Sequence, residues 1–322
     1  MIRSGRCSAP VRIIFVANLI AQMAIVVTGA VVRVTNSGLG CPTWPECVEG
    51  SYTPIARQAE SWHKYVEFGN RLLTFILVLL AIAAIVAAIM DRASRKRASL
   101  PKRNALLVLA FIPILGTFAQ AVLGGITVLT GLHPATVSSH FLASMAIIAG
   151  CAALVMRSRD EGDRPVVMLV RKEIRLLTWG LITVAAVVVL LGVAVTGSGP
   201  HSGDPNSENR FSFDPRTVSW LHADAVLLFL GLLAALLLAL RLTNAPRPAL
   251  RAAWILLGIA LTQGLVGSVQ YFTGLPVIAV IIHVTGAVCV WSATLLLLAP
   301  QRIRGTKLEP GAVVNHPVES TT

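Results

Sequence analysis

Eight stretches of about twenty residues, nearly free of charge, limit what this chain can fold into. They run approximately over 12–32, 69–90, 105–129, 136–156, 174–196, 219–240, 252–272 and 277–299. At roughly 1.5 Å of rise per residue, each is long enough to cross a bilayer as a helix. Lipid offers no partner for an unpaired backbone N–H or C=O, so each span is expected to be helical. A chain that is 55% hydrophobic and 13% charged, with a mean hydropathy of +0.74, carries more apolar material than a soluble core of this length needs. The expected fold is an all-α polytopic membrane protein with eight transmembrane helices.

The net charge of +12 could suggest nucleic acid, but its distribution excludes that partner. Of 27 Lys and Arg residues, all except Arg33, Arg57, Lys64, Arg71, Arg210 and Arg216 fall before the first span, in 91–104, 157–175 and 241–251, or after the last span. This asymmetry places both termini in the cytoplasm. A nucleic-acid groove needs its charges on one folded face rather than in alternate short loops. The first span is too long for a removable signal peptide and lacks a small-residue cleavage site. No Arg/Ser-rich transit segment precedes it, which points to a bacterial plasma membrane. The polar, Pro-containing last dozen residues read as a disordered cytoplasmic tail.

The chain also repeats itself. Gln120-Ala-Val-Leu-Gly124 matches Gln263-Gly-Leu-Val-Gly267, and the same offset of 143 pairs Thr130-Gly131 with Thr273-Gly274 and His140 with His283. A looser match joins Thr35-Asn-Ser-Gly38 to Thr196-Gly-Ser-Gly199. The expected organisation is two pseudo-symmetric four-helix bundles of the same orientation, residues 1–156 and 174–300, with a basic cytoplasmic linker 157–173 and a tail 301–322. Gly124, Gly125, Gly264 and Gly267 are expected to let helices approach closely. The long outer loops 33–68 and 197–218 are expected to cap the bundles, since long ordered loops usually carry function.

Among seven histidines, His316 lies in the tail and has no assigned role. His133 precedes Pro134 in a tight outer turn and reads as a solvated turn residue, and His201-Ser-Gly-Asp204 likewise reads as a plain turn. His140, His222 and His283 each lie within an apolar span, near its outer end. A polar ring there is costly unless it faces the bundle interior and finds a partner. One such ring is accounted for by a helix–helix hydrogen bond. Three at matching depth, two of them related by the repeat, favour axial ligation of haem between facing helices. His222 and His283, on spans six and eight, form the candidate pair.

The first half should hold a matching pair on spans two and four. Span four supplies His140, but span two has no histidine at the expected depth. If its helix begins before Trp62, then His63, Glu67 and Asn70 share one stripe. Glu67 is either a carboxylate favoured at a helix N-terminus or a group that faces the His140 cavity and handles protons or positive charge. Cys41 and Cys47 share the first outer loop, where oxidising conditions favour a disulfide, structural or redox-active; too few ligands accompany them for zinc. Cys7, Cys151 and Cys289 read as packing residues. Asn36-Ser-Gly-Leu-Gly40 has neither the strand nor the Lys-Ser/Thr of a phosphate loop. Arg33, Arg71, Arg210 and Arg216 are either partners for haem propionates or interfacial anchors.

Several of these residues together resemble the haem A synthase family. Gly38-Leu-Gly-Cys41-Pro-Thr-Trp44-Pro-Glu-Cys47 is similar to that family's first outer loop, and Glu67-Phe-Gly-Asn-Arg71 to the start of its second span. Gln120…Gly124…His140 and Gln263…Gly267…His283 are similar to its repeated cores. The likeness reaches to about residue 300. It implies oxidation of the C8 methyl of haem O to a formyl group, giving haem A for cytochrome oxidase. It implies haem b on His222 and His283, and substrate haem O in the first half with His140. It maps the family's glutamate onto Glu67 and its loop cysteines onto Cys41 and Cys47. Haem O synthase and an electron donor are implied as partners, and the oligomeric state is left open. Two departures stand out: Asn70 occupies a usual ligand-histidine position, so either His140 acts alone or His63 moves in, and the second half has no loop cysteine pair. The rivals are a non-catalytic transmembrane dihaem b-type electron-transfer cytochrome and a repeat-built transporter. The latter would need broken helices at mid-membrane, and no span has such an interruption.

Overall fold

A computed structural model describes residues 7–206 and 209–304. Eight helical spans are present. They are α1 (Ala9–Val34), α2 (His63–Arg97), a third span in two pieces, α3 (Asn104–Ala110) and α4 (Ile112–Leu129), then α5 (Pro134–Arg157), α6 (Lys172–Ser198), α7 (Pro215–Leu242), α8 (Arg247–Phe272) and α9 (Val277–Leu296). The chain is thus an all-α multi-pass membrane protein. Large apolar side chains such as Phe75, Val108, Leu242 and Phe272 are exposed on the helix surfaces, as expected where the solvent is lipid.

Three details depart from a plain set of eight rods. At 35 residues, α2 is roughly 50 Å long, well beyond the ~30 Å hydrocarbon thickness. It begins at His63, so its first turns stand above the membrane against the outer loop. The third span breaks at Phe111, whose N–H bonds the carbonyl of Val108 three residues back. Pro113 is the cause: it has no N–H to continue the helical ladder, and its ring crowds the preceding turn. The break lies near the cytoplasmic end rather than at mid-membrane. The linker and the first residues after the last span are also not purely helical. Val166–Met168 (β1) pairs antiparallel with Arg302–Arg304 (β2), and Arg302 and Arg304 both approach Asp160 (3.6 and 3.3 Å). The expected tail therefore starts with an ordered strand; its remainder, including His316, lies outside the described residues.

The helices form two rings of the same order. In one, α1 packs on α2, α2 on α4, α4 on α5 and α5 on α1; in the other, α6 packs on α7, α7 on α8, α8 on α9 and α9 on α6. The diagonal pairs α2/α5 and α7/α9 scarcely touch, which leaves room across each ring. The rings meet reciprocally, α1 on α9 and α5 on α6, with α5 against α9 at the centre. This is the arrangement a two-fold axis imposes. The indole N–H of Trp291 on α9 donates to the carbonyl of Met145 on α5 across the seam (2.9 Å).

Glycines set the tight contacts. A Cβ at Gly116 would come 2.6 Å from Ile147, and one at Gly150 would come 2.6 Å from Ile112, so α4 and α5 pack backbone to side chain. Of the glycines expected to serve this purpose, Gly264 instead faces open space, while Gly124, Gly125 and Gly267 each sit under an aromatic ring. At the cytoplasmic end, Cys7 is buried and its Sγ receives an N–H of Arg103. Burial pushes its thiol up to about 12, so it stays protonated and packs as a small apolar group.

Candidate functional site: paired histidines at the outer rim

The second ring carries the clearest constellation. α7 is started by Asp214, whose carboxylate accepts from the backbone N–H and the hydroxyl of Thr217 (2.8 and 2.6 Å); these bonds hold its carboxyl below the usual range. His222 follows two turns in. On the diagonally opposite α9, His283 lies in the second turn. The two ring centres are 6.5 Å apart. Two imidazoles on opposite sides of one metal ion, each with a bond of about 2 Å, place their centres roughly 6–6.5 Å apart.

Each ring is held from behind. The Nε2 of Gln263 on α8 lies 2.9 Å from Nδ1 of His283 and donates to that residue's carbonyl (2.7 Å). No group reaches hydrogen-bond geometry at Nδ1 of His222, and that ring is held by its packing on Gly192. Cβ atoms at Gly267 and Gly192 would stand 3.0 and 3.2 Å from Cε1 of His283 and His222, so both rings lie flush on a neighbouring helix. Gly267→Leu is therefore expected to displace His283 and, where the ring pair holds a haem, to lose its low-spin spectrum while the chain still folds. The checks are the visible spectrum and the elution volume of the purified protein; an unaltered spectrum would refute the packing argument.

These rings fit a haem. They are partly buried imidazoles in an apolar bundle, and no hydrogen bond among the described residues reaches their Nε2 atoms. No group of three or more His, Cys, Asp or Glu side chains that could hold a bare metal ion occurs among the described residues. Two axial nitrogens without further protein ligands suit a metal that brings its own equatorial ligands, as iron in a porphyrin does.

The first ring repeats half of this. Gln120 donates to the carbonyl of His140 (2.9 Å), twenty residues on, as Gln263 does to His283. Gly124 lies under the His140 ring as Gly267 lies under His283. Nδ1 of His140 is buried without a partner. On the diagonal α2, Asn70 takes the place of a histidine; its Oδ1 accepts from Thr28 of α1 (2.7 Å). His63 is not brought into this cavity, because its Nδ1 pairs with the Ser37 hydroxyl (3.0 Å) and its ring stacks on Trp62.

Glu67 and Arg71 form the latch of the outer loop. Glu67 accepts from the Cys41 N–H (2.8 Å) and, through its other oxygen, from Arg71 (2.6 Å). Arg71 also donates to the carbonyls of Cys41, Thr43 and Glu46. The loop between is closed by a Cys41–Cys47 disulfide, and its Trp44 lies on Gly125 of α4, where a Cβ would overlap the indole. Arg71 thus holds the loop through three of its carbonyls. Arg33 and Arg210 likewise hold backbone: Arg33 reaches the carbonyls of His201 and Thr196, and Arg210 those of Gly199, Pro200 and Asn209. With the Gly38 N–H on the Gly203 carbonyl (2.7 Å), they tie the two outer loops together. His201 bonds the Leu275 carbonyl (3.1 Å), and His133 caps α5 by accepting from the Ala135 N–H.

Sequence reasoning missed Gly192, Thr28 and Ser37, and saw Gln120 and Gln263 as repeat markers without their role. Their spacing to histidine, identical in both halves, was the available signal.

Fold and site together define a multi-pass membrane protein of two matched bundles, each with a partly buried histidine near its outer rim. The chain belongs to the cytochrome oxidase assembly protein family COX15-CtaA, whose model matches residues 12–295. It is similar to the Heme A synthase of Bacillus cereus strain G9842, 25% identical over 306 residues, or 90% of this chain and 93% of that one. It is also similar to the Heme A synthase of Bacillus pumilus, 28% identical over 189 residues, covering 57% and 58% of the two chains. The match to the Heme A synthase of Geobacillus thermodenitrificans is 30% over 116 residues and spans 32% of that protein.

Proposed function

We propose that this chain is a haem A synthase that oxidises the C8 methyl of haem O to a formyl group for cytochrome oxidase. The observation that carries the reading is the His222–His283 pair, 6.5 Å between ring centres, with no bare-metal cluster among the described residues. Relatives named Heme A synthase along most of their length support it.

In this reading residues 174–300 hold haem b on His222 and His283, and residues 1–156 hold haem O with His140. His222 and His283 would hold a haem, and that haem would supply one-electron transfer. Gln263 and Gln120 fix the helices that carry His283 and His140, so each ring is presented in one orientation. Each of two monooxygenase-like rounds consumes one O2, two electrons from an external donor and two protons and releases one water, taking the substrate methyl first to an alcohol and then to a gem-diol that loses water. Glu67, held by Arg71 and the Cys41 N–H, stabilises positive charge developing at that carbon or takes its proton. The disulfide loop, pinned by Trp44, shields the rim from water.

The test is the pigment extracted from cells that express this chain with a source of haem O. The pyridine haemochrome spectrum is expected to show haem A. A membrane that contains the folded chain and haem O but only b-type and o-type pigment would favour the non-catalytic dihaem cytochrome instead.

A further inference from the structure

We propose that the first-half haem has one protein ligand, His140, and that the opposite face, bounded by Asn70, is an open position that takes a small neutral diatomic ligand. This inference rests on the haem reading above and deepens it.

The internal repeat locates the position. Thr35 and Thr196 correspond at an offset of 161, and the same offset carries Gly192, on which the His222 ring lies, onto Val31 of α1. Val31 lines a cavity with Asn70. Asn70 of α2 therefore stands toward α1, on the helix diagonal to the one that carries His140, as His222 stands toward α6 on the helix diagonal to that of His283. What differs is chemistry. An imidazole binds haem iron well, whereas a neutral carboxamide is a far weaker donor. This carboxamide is also occupied: its oxygen receives the Thr28 hydroxyl at 2.7 Å.

The surroundings offer no substitute. The cavity, about 200 Å³, is lined by Thr28, Val31, Val32, Val66, Asn70 and Leu73. That set holds no imidazole, thiol or carboxylate. A water molecule's share of liquid volume is about 30 Å³, so a diatomic ligand fits, and four apolar lining residues favour a neutral one. His63 lies two turns toward the outer end of α2, about 10 Å along the axis. It is held there by Ser37 and Trp62, so reaching the cavity would mean unwinding the start of the helix.

Carbon monoxide is the probe, added to the dithionite-reduced, haem-loaded full chain in detergent. It is expected to shift the Soret band of one haem population and to leave the His222–His283 haem unchanged. His140→Ala is expected to remove the responsive population. Asn70→His supplies the missing imidazole and is expected to lower the carbon monoxide response at least tenfold while converting that haem to a low-spin spectrum. His63→Ala is expected to leave the response as it is. A chain holding only low-spin haem inert to carbon monoxide, one per chain or two, overturns this inference and leaves the haem reading standing. So does loss of a low-spin population in His63→Ala. A folded chain that binds no haem overturns both. Because the wild-type response alone decides, a misfolded Asn70→His variant would not protect the idea.

Discussion

His283→Ala is expected to lose the tightly held low-spin haem, with the eight helices still in place. The ring is one of two imidazoles 6.5 Å apart, and its removal takes away one of the two bonds on which axial ligation depends. Changes to groups that merely orient a ligand cost about 10–100-fold in metal affinity; loss of the ligand itself should exceed that, so the haem-to-protein ratio should fall at least tenfold. His222→Ala should do the same, and the double variant should be little worse, because either change alone leaves a single nitrogen. The fold should survive. The rest of α9 is packed through Val288, Ser292 and Thr294, all buried, and the excised ring is replaced by a cavity at a rim position rather than in the packed seam. Haem content, the reduced-minus-oxidised spectrum and the helical circular dichroism of one preparation measure all of this. A His283→Ala protein that keeps its full complement of low-spin haem would remove the basis for the second-half site. Retention of this spectrum in His140→Ala is expected, since that ring belongs to the other bundle.

The residues that could be placed from sequence alone were those whose physics is local or periodic. Runs nearly free of charge set the spans, because a charged side chain in the lipid core is costly; Asp224 within 219–240 and Arg71 within 69–90 are among the exceptions. The offset shared by Gln120/His140 and Gln263/His283 carried over to geometry, since both glutamines hold the backbone of the histidine twenty residues on. The stripe His63–Glu67–Asn70 follows from helical period; the helix begins at His63, just after Trp62 rather than before it, and still carries all three. Partner choice was not legible. Nothing in the local sequence tells Arg71 to take loop carbonyls, Arg33 to reach across to His201, or Trp44 to lie on Gly125, because each choice depends on where a distant segment arrives. Pro113 was visible, but whether a proline bends a span or is absorbed by it depends on its neighbours. The pairing of 166–168 with 302–304 joins segments separated by half the chain, beyond the reach of any local pattern.

The second large effect is expected at Glu67. Two roles compete for this carboxylate, anchor of the disulfide loop and participant in the chemistry, and they predict different things. As an anchor it joins the Cys41 N–H to Arg71, with the acid side chain 7% exposed and the arginine 23%. Removing one member of a fully buried ion pair costs about 3–5 kcal/mol. Here the cost should be smaller, because Arg71 keeps three carbonyl partners and is partly solvated. Glu67→Gln keeps the shape and one acceptor oxygen, so folding and haem content should be close to wild type. If the carboxylate acts on the substrate methyl, formation of haem A should nonetheless fall by roughly 10²–10⁴-fold, the usual worth of a positioned acid or base. Trp44→Ala is the control, because it loosens the same loop from α4 and leaves the carboxylate intact. Equal losses of haem A in Trp44→Ala and Glu67→Gln, each with haem retained, would reduce Glu67 to a latch. A loss confined to Glu67→Gln assigns it to the reaction, since loop order would then be common to both variants and charge the only difference between them.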